Sequence, residues 1–283
     1  MPKVSLSVER RQGSCRITLR QILVQRMAAL PKRVIVATSG DVDSSALVVA
    51  CMEAGRDVTV TSFRLDGRPS SDFVAARHLA HVFGLKFLDV VLPVDAATIC
   101  NDVVLLIRRH GARKKTAVEC LWPFLYVMRT MAASLDLGST LVVGSGADGH
   151  FALSKRAMIH FRSTVASFQA FRSAYFANDD PAQRKSLARL GTAFGVDVCA
   201  PYFDPRILAL WSGLAWSDVN KPRQKEPIRA AFPELNRFRL RPHVNLQLGD
   251  SGIAEVVGRA ALAKFAPNAR SAVAAYNRIA RGA

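Results

Sequence analysis

Two carboxylates, Asp43 and Asp148, each stand in a small-residue turn directly after a short apolar run. The first segment, residues 34–45, reads VIVATSGDVDSS. An apolar strand that enters a Ser-Gly-x-x-Asp-Ser turn and then a helix presents unpaired backbone N–H groups, a positive dipole end and small hydroxyls, which suit phosphate. Asp43 can there hold a Mg²⁺ that bridges phosphate oxygens. The second segment, residues 141–149, reads LVVGSGADG and repeats the arrangement with Asp148. If the two strands are neighbours, both carboxylates face one cleft, a sensible Mg²⁺ site beside a polyphosphate. Capping of the following helix is the plainer role for Asp148 and is compatible with metal binding.

Two further segments carry cations. Residues 201–206 read PYFDPR, and a stretch from Lys225 reads KEPIRAAFPEL before Arg239-Leu240-Arg241. Such side chains can balance the charge of a leaving pyrophosphate; for a single Lys or Arg, a surface salt bridge is the commoner role.

The elements that must position these residues follow from periodicity. Residues 16–30 have helical spacing, with Leu19, Ile22, Leu23 and Met27 on one face. Strands are predicted over 33–37, 57–63, 86–92 and 141–144. Helices are predicted over 44–54, 71–83 (capped by Ser71 or Asp72) and 116–135, broken near Pro123. The β-α-β-α-β order implies a parallel, helix-covered sheet, with the phosphate turn at the carboxyl end of the first strand. The whole chain reads as one domain: an N-terminal helix over 1–30, an α/β core over 31–150 and a mostly helical part over 151–283.

With 283 residues, half of them hydrophobic, the chain can bury a sizeable core. No apolar run reaches the length of a membrane span, and the N-terminus lacks a signal-peptide core. Five scattered cysteines without a C-x-x-C pair read as reduced thiols in a cytoplasmic protein. The net charge of +17 favours an acidic partner: nucleotide, nucleic acid or an acidic surface. The basic run 108–115 reads as a solvated helix end or loop, or else as a flap that meets phosphates or carboxylates.

Taken in order, SGDVDSS, GSGADG, PYFDPR, K-x-x-I-R and R-x-R resemble the synthetase domain of asparagine synthetases, a branch of the PP-loop ATP pyrophosphatase (HUP-like) superfamily that includes the β-lactam synthetases. That family reads SGGxDSS, GEGADE, PFLDxR, K-x-x-L-R and R-x-K. The resemblance spans residues 16–250. It implies that ATP lies over the first turn, held by Ser39, Gly40, Asp41, Asp43, Ser44 and Ser45, with Ser62, Gly144 and Gly146 in the same site. It further implies Mg²⁺ on Asp43 and Asp148, and Lys225 and Arg241 in catalysis. A substrate carboxylate would attack the α-phosphorus, releasing pyrophosphate, and ammonia or an amine would then take the acyl group. Alternatives are a PP-loop enzyme acting on nucleic acid or a nucleobase, and a non-catalytic binding relative.

The chain departs from the family pattern at several places. Asp41 replaces the second glycine of SGGxDS, and Ser145 and Gly149 replace the two glutamates of GEGADE. Arg241 stands for the lysine of R-x-K, with His243 a nearby alternative. Pro2 follows Met1, so no glutaminase domain with a leading cysteine is expected, and ammonia or an amine would come free or from a separate partner.

Overall fold

The computed structural model describes residues 19–112, 114–134, 138–238, 240 and 249–282. Arg239, Arg241 and His243 lie outside the described residues, as do Arg113 and residues 1–18.

A helix over 19–28 (α1) precedes the first strand, β1 (Arg33–Ala37), and α2 (Val42–Glu53) follows it. Then come β2 (Asp57–Leu65), α3 (Ser71–Val82), β3 (Lys86–Leu92), α4 (Ala96–His110), α5 (Lys115–Ala133) and β4 (Thr140–Val143). The remainder is mostly helical: α6 (Ala147–Phe151), α7 (Lys155–His160), α8 (Val165–Phe176), α9 (Arg184–Ala193), α10 (Pro205–Leu210), α11 (Trp216–Asn220), α12 (Glu226–Ala231), α13 (Ile253–Phe265) and α14 (Ala272–Ala280). One short strand, β5 (Asp197–Cys199), interrupts it.

The five strands form one parallel sheet in the order β3-β2-β1-β4-β5. β1 is central and covered on both faces, so its RVIVA sequence is apolar without a polar face. Period-2 alternation splits it between two cores. Val34 and Val36 pack with α1, α2 and the helices after β4, while Ile35 packs with α4, α5, α13 and α14. The predicted face Leu19, Ile22, Leu23 and Met27 is buried in the first core. The chain order reverses between β1 and β4, and such a switch point opens a crevice at the carboxyl ends of the strands. Ala37 pairs with Val143, so the turns after β1 and β4 leave the sheet side by side.

Several boundaries differ from the sequence reading. The cap of α3 is Ser70, whose hydroxyl accepts from Phe73 N at 3.2 Å, not Ser71 or Asp72. Pro123 does not break α5. Burial of Leu121, Trp122, Leu125 and Met128, together with the Trp122 Nε1–H bond to Asp102 (3.1 Å), offsets the lost backbone bond. The structure adds α4, capped by Asp95, and β5 to the predicted set.

Candidate functional site

The first turn closes on itself before it offers anything to a ligand. Thr38 Oγ1 lies 2.7 Å from Ser44 Oγ, Gly40 N–H donates to Thr38 Oγ1 at 3.1 Å, and Ser39 N–H reaches Ser44 Oγ at 3.4 Å. Gly40 has φ +74°, and a Cβ there would lie 2.4 Å from Ala75 Cβ on α3. Only glycine fits both the left-handed backbone and that close approach. Asp41 caps α2, accepting from Val42 N–H at 2.5 Å.

Opposite lies the second turn. Gly146 has φ +95° and packs beneath the ring of Phe203, where a Cβ would come within 2.7 Å. Tyr202, in the same PYFDPR segment, donates its hydroxyl to the Asp43 carbonyl at 3.0 Å. His150 Nε2–H donates to the Tyr202 carbonyl at 2.8 Å. This segment braces the two turns from below. Its arginine does not face the cavity: Arg206 is exposed and bonds Asp204 (2.7 Å) and Gln25 (3.0 Å).

Between the turns is a cavity of about 310 Å³. Ser39, Asp41, Asp43, Ser44, Ser62, Gly144, Gly146 and Asp148, all named from the sequence, line it. Its other wall is built by Phe63, Cys120 and Phe124. Gly40 shapes the turn without lining the cavity. Ser45 is fully buried, and its hydroxyl has no hydrogen-bond partner, so the structure does not bring it to the site. Trp122 and Phe151 are core, and Arg64 is paired with Asp89 at 3.0 Å. Of the basic run 108–115, Arg108–His110 end α4 and Lys115 opens α5, and none of its described residues lines this cavity.

Lys225 decides the electrostatics. It is 1 % exposed, with a left-handed backbone (φ +60°) at the start of α12. Its ammonium contacts three carboxylates: Asp43 Oδ2, Asp41 Oδ2 (2.8 Å) and Asp148 Oδ1 (3.0 Å). Burial opposes the charge, but Asp43, Asp148 and Asp41 together hold the Lys225 pKa well above the ordinary lysine range. Three acids around one ammonium leave a negative surplus. Burial, with the repulsion of Asp41 and Asp148, pushes the Asp43 carboxyl up to about 7 against the pull of Lys225. Asp43 and Asp148 do share one cleft, but as folded the cluster does not fit a divalent ion, because the ammonium already takes an oxygen of each carboxylate. Among the described residues, no group of three or more His, Cys, Asp or Glu is placed to hold a metal ion.

Two contributors had weak sequence signals. Thr38 was findable as one more hydroxyl in the same turn. Tyr175 lies on α8, remote in sequence, and its ring fills the space beside Gly149, where a Cβ would come within 2.2 Å. It also lines the cavity. The missing side chain at position 149 was its only trace.

No family model matches the chain, and no curated protein matches it. Among solved structures, NMN synthetase from Francisella tularensis aligns at 13% identity over 80% of this chain and 97% of that one, with a TM-score of 0.34. That level of likeness carries no functional information. What the chain itself shows is one parallel five-stranded sheet, β3-β2-β1-β4-β5, with a helix-packed core on each face, an open α/β fold.

Proposed function

We propose that the chain is an ATP-dependent, amide-forming ligase of the PP-loop type. The observation that carries this reading is the pair of adjacent turns. Two small-residue turns, in register at the carboxyl ends of β1 and β4, open onto one cavity with hydroxyls on the phosphate side and aromatic rings on the other. Polyphosphate fits over Ser39, Ser44 and the start of α2, where backbone N–H groups and the helix dipole favour negative charge. Phe63 and Phe124 suit a nucleobase.

A free carboxylate resists attack because its leaving group would be oxide. In the proposed reaction its oxygen attacks the α-phosphorus of ATP, and the bond to the β-phosphate bridge breaks, so pyrophosphate leaves. The acyl-adenylate then meets ammonia or an amine. The C–N bond forms, AMP leaves with the bonding pair and the nitrogen sheds its extra proton. Within this reading Arg241 is assigned to the charge of the departing pyrophosphate, which a guanidinium matches as a multiple donor. Lys225 is assigned to the floor of the site, fixing Asp41, Asp43 and Asp148.

The test is calorimetric titration of ATP, with and without Mg²⁺, followed by assay of AMP and pyrophosphate release across a panel of carboxylic acids with ammonia. Saturable binding and acid-dependent AMP release are expected. Absence of binding at millimolar ATP would overturn the proposal.

A further inference from the structure

Asp41 stands where the family pattern has glycine, and its carboxylate has two tasks here: Oδ1 caps α2 and Oδ2 holds Lys225. The added acid arrives with a cation to match it. If all four groups are ionised, three carboxylates and one ammonium sum to a charge of −2, gathered around a buried ammonium with Asp148 half exposed. An ammonium at hydrogen-bond distance from three carboxylates occupies the position, charge sign and ligand set of a small metal ion. It is also held firmly. The Lys225 backbone N–H donates to Asn220 Oδ1 at 3.3 Å, and Asn220 Nδ2 is anchored on the Phe151 carbonyl at 2.9 Å. One oxygen stands outside the arrangement: Asp43 Oδ1 is buried and has no hydrogen-bond partner, although Asp43 is only 7 % exposed. A divalent ion at Asp43 Oδ1 would stand within a few ångströms of the Lys225 ammonium, whose positive charge opposes its binding.

We infer that Lys225 is a resident cation that closes this carboxylate cluster to divalent metal ions. Its ammonium replaces the ion, and the cluster becomes a metal site only when that charge is removed. The inference holds whether or not the cavity takes a nucleotide, so it is tested without one.

The experiment is Mn²⁺ binding to nucleotide-free protein, counted by electron paramagnetic resonance of the free ion, for wild type, Lys225→Met and Lys225→Met/Asp43→Asn. Wild type is expected to bind no Mn²⁺ tightly. In Lys225→Met one Mn²⁺ should bind at least about tenfold more tightly, because a unit charge a few ångströms away has been removed. The added Asp43→Asn change should abolish that gain. Wild type binding as tightly as Lys225→Met would overturn the inference, and so would a Lys225→Met protein indifferent to Mn²⁺. Should Lys225→Met fold poorly, its melting temperature is measured against Mn²⁺. A Mn²⁺-dependent rise absent from wild type supports the inference, and no rise overturns it. Failure of the nucleotide reading would show instead in the ATP titration, which these measurements leave untouched.

Discussion

His150 makes stability depend on pH in a direction that can be isolated. Its ring is fully buried, with the tilted rings of Phe176 and Trp211 centred 4.5 and 4.7 Å away. Nε2–H donates to the Tyr202 carbonyl, and Nδ1 has no partner. A second proton would place an unpaired charge among aromatic rings, so burial pushes the His150 pKa down to about 3. The folded value lies below the ordinary 6.5, so the unfolded chain takes up its proton first. The contribution is therefore complete above 6.5 and is lost as pH falls toward 3. One pKa unit corresponds to about 1.4 kcal/mol, so the loss is about 2 kcal/mol by about pH 5 and on the order of 5 kcal/mol in full. Asp43 works oppositely: its value near 7 exceeds the ordinary 3.8, so its contribution is full below 3.8 and lost as pH rises through 7. Wild type combines these slopes with those of its other shifted groups. His150→Gln keeps a donor for Tyr202 but cannot be protonated, so it loses the first slope and keeps the rest. Urea unfolding of both proteins between about pH 7.5 and 5 should show the variant gaining stability relative to wild type by about 2 kcal/mol on acidification. Parallel profiles would refute the reasoning.

Other substitutions probe the turns and the far core. Gly40→Ala should cost about 1–3 kcal/mol and abolish ATP binding, because its Cβ meets Ala75 at 2.4 Å. Gly55→Ala, at φ +69° with nothing within 4 Å, should cost about 1 kcal/mol and leave binding intact; equal effects in thermal melts and calorimetry would contradict the close-approach argument. Gly149→Ala should destabilise by about 1–3 kcal/mol through overlap with Tyr175, and pairing it with Tyr175→Ala should recover most of that loss in a double-mutant cycle. Glu119 on α5 is fully buried with neither carboxylate oxygen hydrogen-bonded, and Lys115 Nζ is 3.6 Å away. Burial raises its pKa against the pull of Lys115, so its contribution is full below 4.5 and lost as pH rises through the raised value. Glu119→Met should therefore stabilise by roughly 1–3 kcal/mol near neutral pH, and destabilisation there would refute this.

The half of the fold around β1 and the candidate site was legible because its signals are local. β1, α2 and the turn between them occupy consecutive residues, and apolar runs that end in Gly and Ser turns carry their own boundaries. Parallel order followed from alternation of strands with helices. What the sequence hid is long-range. Lys225 and Asp43 meet across the fold, and no periodicity reveals that a lysine in a K-x-x-I-R segment points inward rather than toward a leaving group. Ser45 looked equivalent to Ser44, but one further residue along the helix turns its hydroxyl into the core. Pro123 looked like a break because propensity is local, whereas the burial that overrides it belongs to the whole sheet face.

The departures from the asparagine synthetase pattern bear on whether the site is intact or decayed. A site released from function accumulates changes that leave holes, clashes or unpaired charges. Here two such changes have a partner. The carboxylate of Asp41, an extra charge beside phosphate ground, is bound by Lys225 and by the first N–H of α2. The space that a glutamate would fill at position 149 is filled by the ring of Tyr175, and restoring even a Cβ would collide with it. Both compensations come from the helical part of the chain beyond β4, which supplies α8 and α12. Under the proposed function, these compensated changes predict a protein that still binds ATP, and a wild-type chain with no affinity for ATP would refute that.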